Sequence, residues 1–304
     1  MKIYINRQPV TGPWGGGNKT VTRLSERLEK EGHEVVYTLQ PNIDVIFCFD
    51  PRPNSHGEWY ENFLKYKMET GCPIIQRVGD VGTHGKPHLT NLVKETLSYS
   101  DFFIFPSEWA KEKISFSGDN CKVIHNGPLE VFHSFKKPNE LGDKIKIVTH
   151  HWSTNPKKGF DFYRFVDEKM ANSHKFEFLY IGQLPEDLKL KNSKYIAATG
   201  DNEFISRTIS EQDIYLSASE EEAGANHVLE GMACGLPVAY HQNGGSILNY
   251  CEDYGVEFGN EIEMLKAIKN IIDNYSLYKS KVMCYNNTIT NVIDQYVEVI
   301  CGLK

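Results

Sequence analysis

The sequence predicts an α/β protein built from two doubly wound halves, each a parallel sheet between layers of helices. Short apolar runs alternate with helical stretches along most of the chain, and the alternation fades only in the polar segment 128–144. Runs that are apolar on both faces are typical of parallel strands covered by helices. A length of 304 residues fits two domains of about 150 residues each.

The first half begins with a strand, a glycine-rich loop and a helix. Residues 2–6 form the strand pattern, residues 12–17 contain the glycines, and residues 18–32 are amphipathic. Further strands are predicted at residues 34–38, 44–50, 73–80, 101–107 and 122–126, with helical segments between several of them.

The polar segment marks the expected domain boundary, because proline, asparagine, glycine and lysine replace the periodic pattern there. We predict a first domain over 1–135, a linker over 136–144 and a second domain over 145–287. Strands of the second domain are predicted at residues 145–151, 176–182, 194–199, 213–219 and 237–241. A last helix, about 288–304, is expected to pack back on the first domain. Ligands of such sheets bind beyond the carboxyl ends of the strands, so two facing halves would form a cleft.

Composition excludes several classes of function. The net charge of −7 and the absence of a lysine- or arginine-rich arm argue against nucleic acid as the main partner. The seven cysteines are odd in number and include no Cys-x-x-Cys pair, which predicts neither disulfides nor zinc and fits a reducing cytoplasm. No signal peptide or spanning segment is apparent, so we expect a cytoplasmic protein without a transmembrane segment; peripheral membrane contact stays open.

The most informative segment is 222–238, where a strand is followed by an acidic loop and then by a helix that starts near Ala225 or Asn226. The N-terminus of that helix, with the backbone N–H groups near Asn226 and His227, is an expected anion site. Glu222 and Glu230 lie on either side of this phosphate-sized site. Carboxylates bind vicinal hydroxyls well, so the arrangement suits a sugar, a diphosphate and a ribose joined in a row.

Segment 222–238 resembles the Glu-x7-Glu signature of the retaining GT-B glycosyltransferases of the family 4-like group, glycosyl transferases group 1. The spacing and the following Gly-Leu-Pro-Val turn both match. The resemblance implies that Glu222 contacts the donor sugar and that Glu230 holds the ribose. It also implies the GT-B architecture, two Rossmann-like domains with the donor bound by the second.

Further residues match the same family. Lys158, before Gly159, takes the place of a lysine that contacts the donor diphosphate, and Gly16 and Gly17 resemble the paired glycines that approach the phosphate and the sugar. Asp80 and His84 are polar candidates for acceptor activation or sugar binding.

Two family residues are missing from this sequence. An arginine is usual five or six residues before Lys158, but Trp152 and Ser153 stand there, so Lys157 or His151 would have to supply the second cation. A histidine beside the reacting sugar is replaced by Gly79.

The resemblance implies transfer of a sugar from a nucleotide-diphosphate donor with retention of configuration, to a glycan, lipid or protein acceptor. We expect neither cofactor nor metal, since no Asp-x-Asp motif or His/carboxylate cluster is apparent. A sugar-nucleotide 2-epimerase and a non-catalytic sugar-nucleotide or glycan-binding protein are the alternatives. A nucleotide triphosphatase is disfavoured, because Asn18 interrupts the Gly-x4-Gly-Lys-Thr pattern and a second domain would stay unexplained.

Overall fold

The computed structural model describes residues 1–10 and 16–302. The chain divides into two compact units: Met1–Asn126 together with the C-terminal helix, and Gly127–Thr288. The predicted linker 136–144 lies inside the second unit. There Lys136 Nζ donates a hydrogen bond to the carbonyl of Tyr285 at 2.7 Å, and Asn139 Nδ2 donates one to Asp213 Oδ1 at 3.1 Å.

The first unit contains a six-stranded parallel sheet of order β2-β1-β3-β4-β5-β6. Its central strands are almost wholly buried, which explains why they contain continuous runs such as Val-Ile-Phe-Cys. The strands are β1 Lys2–Ile5, β2 Glu34–Val36, β3 Val45–Cys48, β4 Ile74–Arg77, β5 Phe102–Phe105 and β6 Cys121–Val123, and the helices between them are α1 Gly16–Lys30, α2 Tyr60–Thr70, α3 Pro87–Thr96 and α4 Glu108–Lys113.

The second unit contains another six-stranded parallel sheet, of order β12-β11-β10-β7-β8-β9. Its strands are β7 Ile145–His151, β8 Phe176–Gly182, β9 Lys194–Ala197, β10 Ile214–Ser217, β11 Val238–His241 and β12 Gly255–Phe258. Its helices are α5 Phe160–Met170, α6 Asn202–Ser210, α7 Asn226–Ala233, α8 Ser246–Cys251, α9 Glu261–Asp273 and α10 Tyr275–Met283, with 3₁₀ turns at Glu130–His133 and Pro156–Lys158. Buried aromatic residues, Tyr163, Tyr180 and Tyr215 among them, fill the layers on the sheet.

The last helix, α11 Ile289–Gly302, belongs to the first unit. Its buried residues recur at helical spacing: Ile289, Val292, Ile293, Tyr296, Val297 and Ile300. Arg27 of α1 forms an ion pair with Asp294 at 2.6 Å, and Phe47 of β3 packs edge-on against Tyr296. This apolar stripe is buried against the helix layer and the sheet of the first unit.

The predicted fold class is confirmed by the two parallel sheets with flanking helices. Strands β7 and β8 have the predicted bounds, whereas β4 ends at Arg77, so that Asp80 lies in a loop. Strand β12 escaped prediction because Gly-Val-Glu-Phe is short and buried only at its last residue. No helix within the described residues is long and apolar enough to cross a membrane. All seven cysteines fall within the described ranges, and none forms a disulfide.

Candidate active site

The candidate site of the second unit lies at the carboxyl edge of its sheet, where the loops after β7 and β10 meet. The two strands are neighbours, so their loops leave the sheet side by side. The backbone N–H of Glu220 donates to the carbonyl of Lys157 at 2.8 Å, which joins the loops directly. Gly159 has φ 77°, and a Cβ there would clash with the backbone of Ala218. Only glycine permits this close approach of the two loops.

Lys158 and Glu222 form an ion pair at this junction. Lys158 Nζ lies 2.5 Å from Glu222 Oε1, and each side chain is 12% exposed. Ser246 holds the backbone of the glutamate in place, because its N–H donates to the carbonyl of Glu222 at 2.8 Å. The structure therefore joins two of the predicted site residues, 64 positions apart, in one partly buried pair.

Glu230 contacts a histidine that the sequence analysis did not identify. His150 Nε2 lies 2.7 Å from Glu230 Oε2, and the side chains are 4% and 13% exposed. On the other side of the ring, His150 Nδ1 lies 2.8 Å from the hydroxyl of Tyr215. The only sequence signal was a pair of histidines at the end of a largely buried strand.

The hydrogen bonds around His150 fix its tautomer. Nε2 faces the Glu230 carboxylate, which accepts hydrogen bonds, so Nε2 carries a proton, and Nδ1 of a neutral ring then accepts from the Tyr215 hydroxyl. A neutral imidazole that accepts at Nδ1 carries its proton on Nε2. His150 therefore donates to Glu230 and orients the carboxylate at the edge of the sheet.

The first turn of α7 carries Asn226 and His227. His227 Nε2 lies 2.8 Å from Ser217 Oγ, and its ring centroid is 4.8 Å from that of His151. Three fully buried polar atoms near this turn lack a hydrogen-bond partner within the described residues: Asn226 Oδ1, His151 Nδ1 and Ser219 Oγ. Buried polar atoms are nearly always paired, so three orphans at one sheet edge indicate a place for a polar ligand or water.

His151 is held neutral. Burial, together with the nearby charge of Lys158, holds the pKa of His151 well below its usual value of 6.5. His151 thus does not supply the second cation that the sequence analysis required of it or of Lys157. Lys157 itself forms an ion pair with Glu221.

We expect this neutral histidine to make the fold acid-sensitive. The unfolded chain binds a proton at His151 below pH about 6.5 and the folded chain does not, so stability falls as pH decreases below that value. One such group contributes at most about 1.4 kcal/mol per pH unit. Urea unfolding of the parent and of His151→Gln between pH 7.5 and 5.5 measures this slope. His174→Gln, which removes an exposed histidine, is the control; equal slopes in all three proteins would contradict the expectation.

The other predicted residues lie in the first unit. Gly16 and Gly17 form the first turn of α1, and a Cβ on Gly17 would touch the ring of Phe49 at 3.7 Å. Residues 12–15 of the predicted glycine loop lie outside the described residues. His84 occupies the turn between β4 and α3.

Asp80 is engaged by its own loop. Its carboxylate accepts from Lys86 Nζ and from the N–H of Gly82, both at 2.8 Å. Burial alone would raise the pKa of Asp80, but these bonds outweigh it and lower the pKa, which keeps the group ionised at neutral pH. Within the described residues no three histidine, cysteine or carboxylate side chains are grouped so that they could hold a metal ion.

Residues 146–274 match the family model described as glycosyl transferases group 1. The chain contains a glycosyl transferases group 1 domain. This match covers most of the second unit and includes Lys158, Glu222 and Glu230. Comparison with curated proteins finds no match by sequence.

Solved structures of GT-B glycosyltransferases share the fold over nearly the whole chain. HepE from Anabaena, in complex with UDP and glucose, is 13% identical with a TM-score of 0.70, and 99% of each chain is covered. WaaG, involved in lipopolysaccharide biosynthesis, is 14% identical with a TM-score of 0.68 over 99% of this chain and 100% of that one. Sucrose-phosphate synthase from Thermosynechococcus elongatus is 15% identical with a TM-score of 0.70, covering 99% and 98%. The enzyme therefore has the GT-B architecture of two α/β domains.

Proposed function

We propose that this glycosyltransferase takes a sugar from a nucleoside-diphosphate sugar bound by its second unit and transfers it with retention of configuration. The observation that carries the proposal is the set of unpartnered polar atoms, on Asn226, His151 and Ser219, beside the Lys158–Glu222 pair. A helix N-terminus and a lysine favour an anion, Ser219 Oγ can donate a hydrogen bond to it, and Asn226 Oδ1 can accept one from a hydroxyl of the same ligand.

The diphosphate is assigned to the first turn of α7 and to Lys158. Lys158 is paired with Glu222, so donor binding has to exchange this carboxylate for phosphate oxygens. The released Glu222 carboxylate is then available to the hydroxyls of the sugar next to the diphosphate. Gly16 and Gly17 of the first unit are proposed to approach the same donor.

The ribose is assigned to Glu230. A carboxylate accepts two short hydrogen bonds from vicinal hydroxyls, provided that its orientation is fixed. His150 supplies this orientation through its bond to Oε2, and Tyr215 in turn holds His150. His150 and Tyr215 are positioning residues in this proposal.

The reaction breaks the bond between the anomeric carbon and the diphosphate oxygen and forms one from the same carbon to the oxygen of an acceptor hydroxyl, which passes its proton to Asp80 or His84. Charge develops on the leaving diphosphate, where Lys158 and the N–H groups of Asn226 and His227 stabilise it. Asp80 and His84 are proposed to act on the acceptor side. The acceptor is a glycan, a lipid or a protein, and neither a cofactor nor a metal ion is assigned.

Nucleotide binding tests this proposal most directly. Because HepE was solved with UDP, we propose UDP as the first nucleotide to test, beside GDP and ADP. A ligand at 100 times its Kd raises stability by about 2.7 kcal/mol, which a thermal-shift assay detects. Binding of none of the three would contradict the proposal.

Incubation of the protein with a bound donor, without acceptor and with EDTA, then identifies the chemistry. Slow donor hydrolysis in EDTA is expected. An isomerised sugar would instead indicate a 2-epimerase, and an unchanged donor a binding protein. The anomer of a transfer product, read by NMR, tests retention.

Tyr215→Phe is expected to weaken nucleoside-diphosphate binding by about 0.5–1.5 kcal/mol, the value of one neutral hydrogen bond. The reason is that His150 loses its hydrogen-bond partner at Nδ1. In a Glu230→Gln background the same change should have little further effect, because both residues act through one contact. Calorimetry on the four proteins measures this coupling. Tyr66→Phe, which removes a hydroxyl bonded to the N–H of Ile43 in the first unit, is the control; additive losses would contradict the relay.

A further inference from the structure

The first unit contains a buried cation that the proposed function leaves unused. Arg77, the last residue of β4, is 7% exposed. Its guanidinium lies over the ring of Phe49, 4.5 Å from the centroid, and its Nε donates to the hydroxyl of Tyr296 at 3.1 Å. No carboxylate within the described residues forms an ion pair with it, and none of residues 11–15, 303 and 304 has an acidic side chain.

The carboxylates on the neighbouring loops are engaged elsewhere. Asp50 accepts from Arg52 at 2.9 and 2.5 Å, and Asp80 accepts from Lys86. Glu58 accepts from the hydroxyl of Tyr4 and from the N–H of Leu39, both at 2.8 Å. None of these three carboxylates therefore balances the positive charge of Arg77.

The guanidinium fills a space that another side chain would occupy. A Cβ at position 79 would clash with Arg77 Nη1, so the absence of a side chain on Gly79 permits the observed position. Gly79 itself is only partly buried, whereas Arg77 beside it is 7% exposed. Gly17, in the first turn of α1, lies at the edge of the Phe49 ring that supports Arg77.

A buried charge without a counter-ion is costly, and an anionic ligand would supply the missing opposite charge. The fork of N–H groups on a guanidinium matches the oxygens of a phosphate or carboxylate, while the aromatic ring and the tyrosine hydroxyl hold its plane. We propose that Arg77 binds an oxyanion group of a substrate in the first unit. The site consists of Arg77, Phe49, Gly79 and Tyr296.

Inorganic phosphate is the probe, titrated by calorimetry into the Lys158→Ala protein in buffers of equal ionic strength made with chloride. Lys158→Ala removes the proposed donor site, so this test does not depend on nucleotide binding. We expect saturable phosphate binding that weakens at least tenfold in the additional variants Arg77→Met and Gly79→Ala. Gly79→Ala keeps the guanidinium but displaces it. If Arg77→Met does not fold, phosphate binding by Gly79→Ala tests the proposal.

Arg23→Met is the matched control, because Arg23 is an exposed arginine of α1 that pairs with Glu26 in the same unit. Phosphate binding should be unchanged there. The absence of saturable phosphate binding, or equal binding by Gly79→Ala, would overturn the proposal. Titration of nucleoside diphosphate into Arg77→Met identifies the substrate that carries the oxyanion. A tenfold loss of nucleoside-diphosphate affinity assigns the oxyanion to the donor, and an unchanged affinity assigns it to the acceptor.

Discussion

Lys158→Ala is expected to lower the affinity for a nucleoside diphosphate by about 10- to 150-fold, since a hydrogen bond to a charged group contributes roughly 1.5–3 kcal/mol. The upper end of this range is the more appropriate, because the variant also leaves the Glu222 carboxylate without its lysine partner. Among the described residues Lys158 is the only side chain hydrogen-bonded to Glu222. Its loss leaves a carboxylate, 12% exposed, facing the place assigned to the diphosphate.

A second substitution separates these two contributions. In Lys158→Ala/Glu222→Gln the repelling carboxylate is gone, so part of the affinity should return. Calorimetry with nucleoside diphosphate measures both variants. Lys194→Ala, which removes an exposed lysine paired with Glu177 in the same unit, is the control for net charge. If Lys158→Ala binds within about twofold of the parent, Lys158 does not contact the diphosphate.

Substitutions of Glu230 and Glu222 are expected to affect different steps, nucleotide binding for Glu230 and turnover for Glu222. Glu230→Gln keeps the size of the side chain but removes its charge, so it should weaken nucleoside diphosphate and intact donor by similar factors, about 1–3 kcal/mol each. His150 should amplify the loss, because its Nε2–H then meets an amide instead of a carboxylate.

Glu222→Gln should leave nucleoside-diphosphate affinity unchanged or raise it, because Lys158 no longer has to be released from a carboxylate. Its loss should appear in turnover, by about 10- to 150-fold. Contacts to the sugar that strengthen as positive charge develops at the anomeric carbon lower kcat more than they weaken binding.

Calorimetry and steady-state donor hydrolysis on both variants test this separation of roles. Glu263→Gln, at an exposed helix start remote from α7 in sequence, controls for the loss of one carboxylate. Equal losses of nucleotide affinity in Glu222→Gln and Glu230→Gln would contradict it.

Much of the fold could be predicted because its signals are local. Strands β7 and β8 end where the chain changes from strand-forming to loop-forming residues. Helix α7 begins directly after the small residues that precede Asn226. The Glu222 and Glu230 spacing and the Lys158–Gly159 turn are also contained in short segments. Residues that are close in sequence produce these features, because they set the local backbone conformation and the pattern of buried side chains.

Strand β12 and the pairing of the site residues could not be predicted in this way. His150 and Glu230 are 80 positions apart, and they meet because β7 lies beside β10 and α7 follows β10. The order of strands in a sheet depends on the packing of the whole unit, and no local pattern encodes it.

The sequence by itself determined the fold class, the helix N-terminus at Asn226 and the residue types suited to a nucleotide sugar. Tertiary structure alone decided how their charges are balanced. It paired Lys158 with Glu222, gave Glu230 a histidine partner and left Arg77 buried without a carboxylate. The physical reason is that a charge is stabilised by whatever lies within a few ångströms of it, and in a folded chain those neighbours come from distant strands.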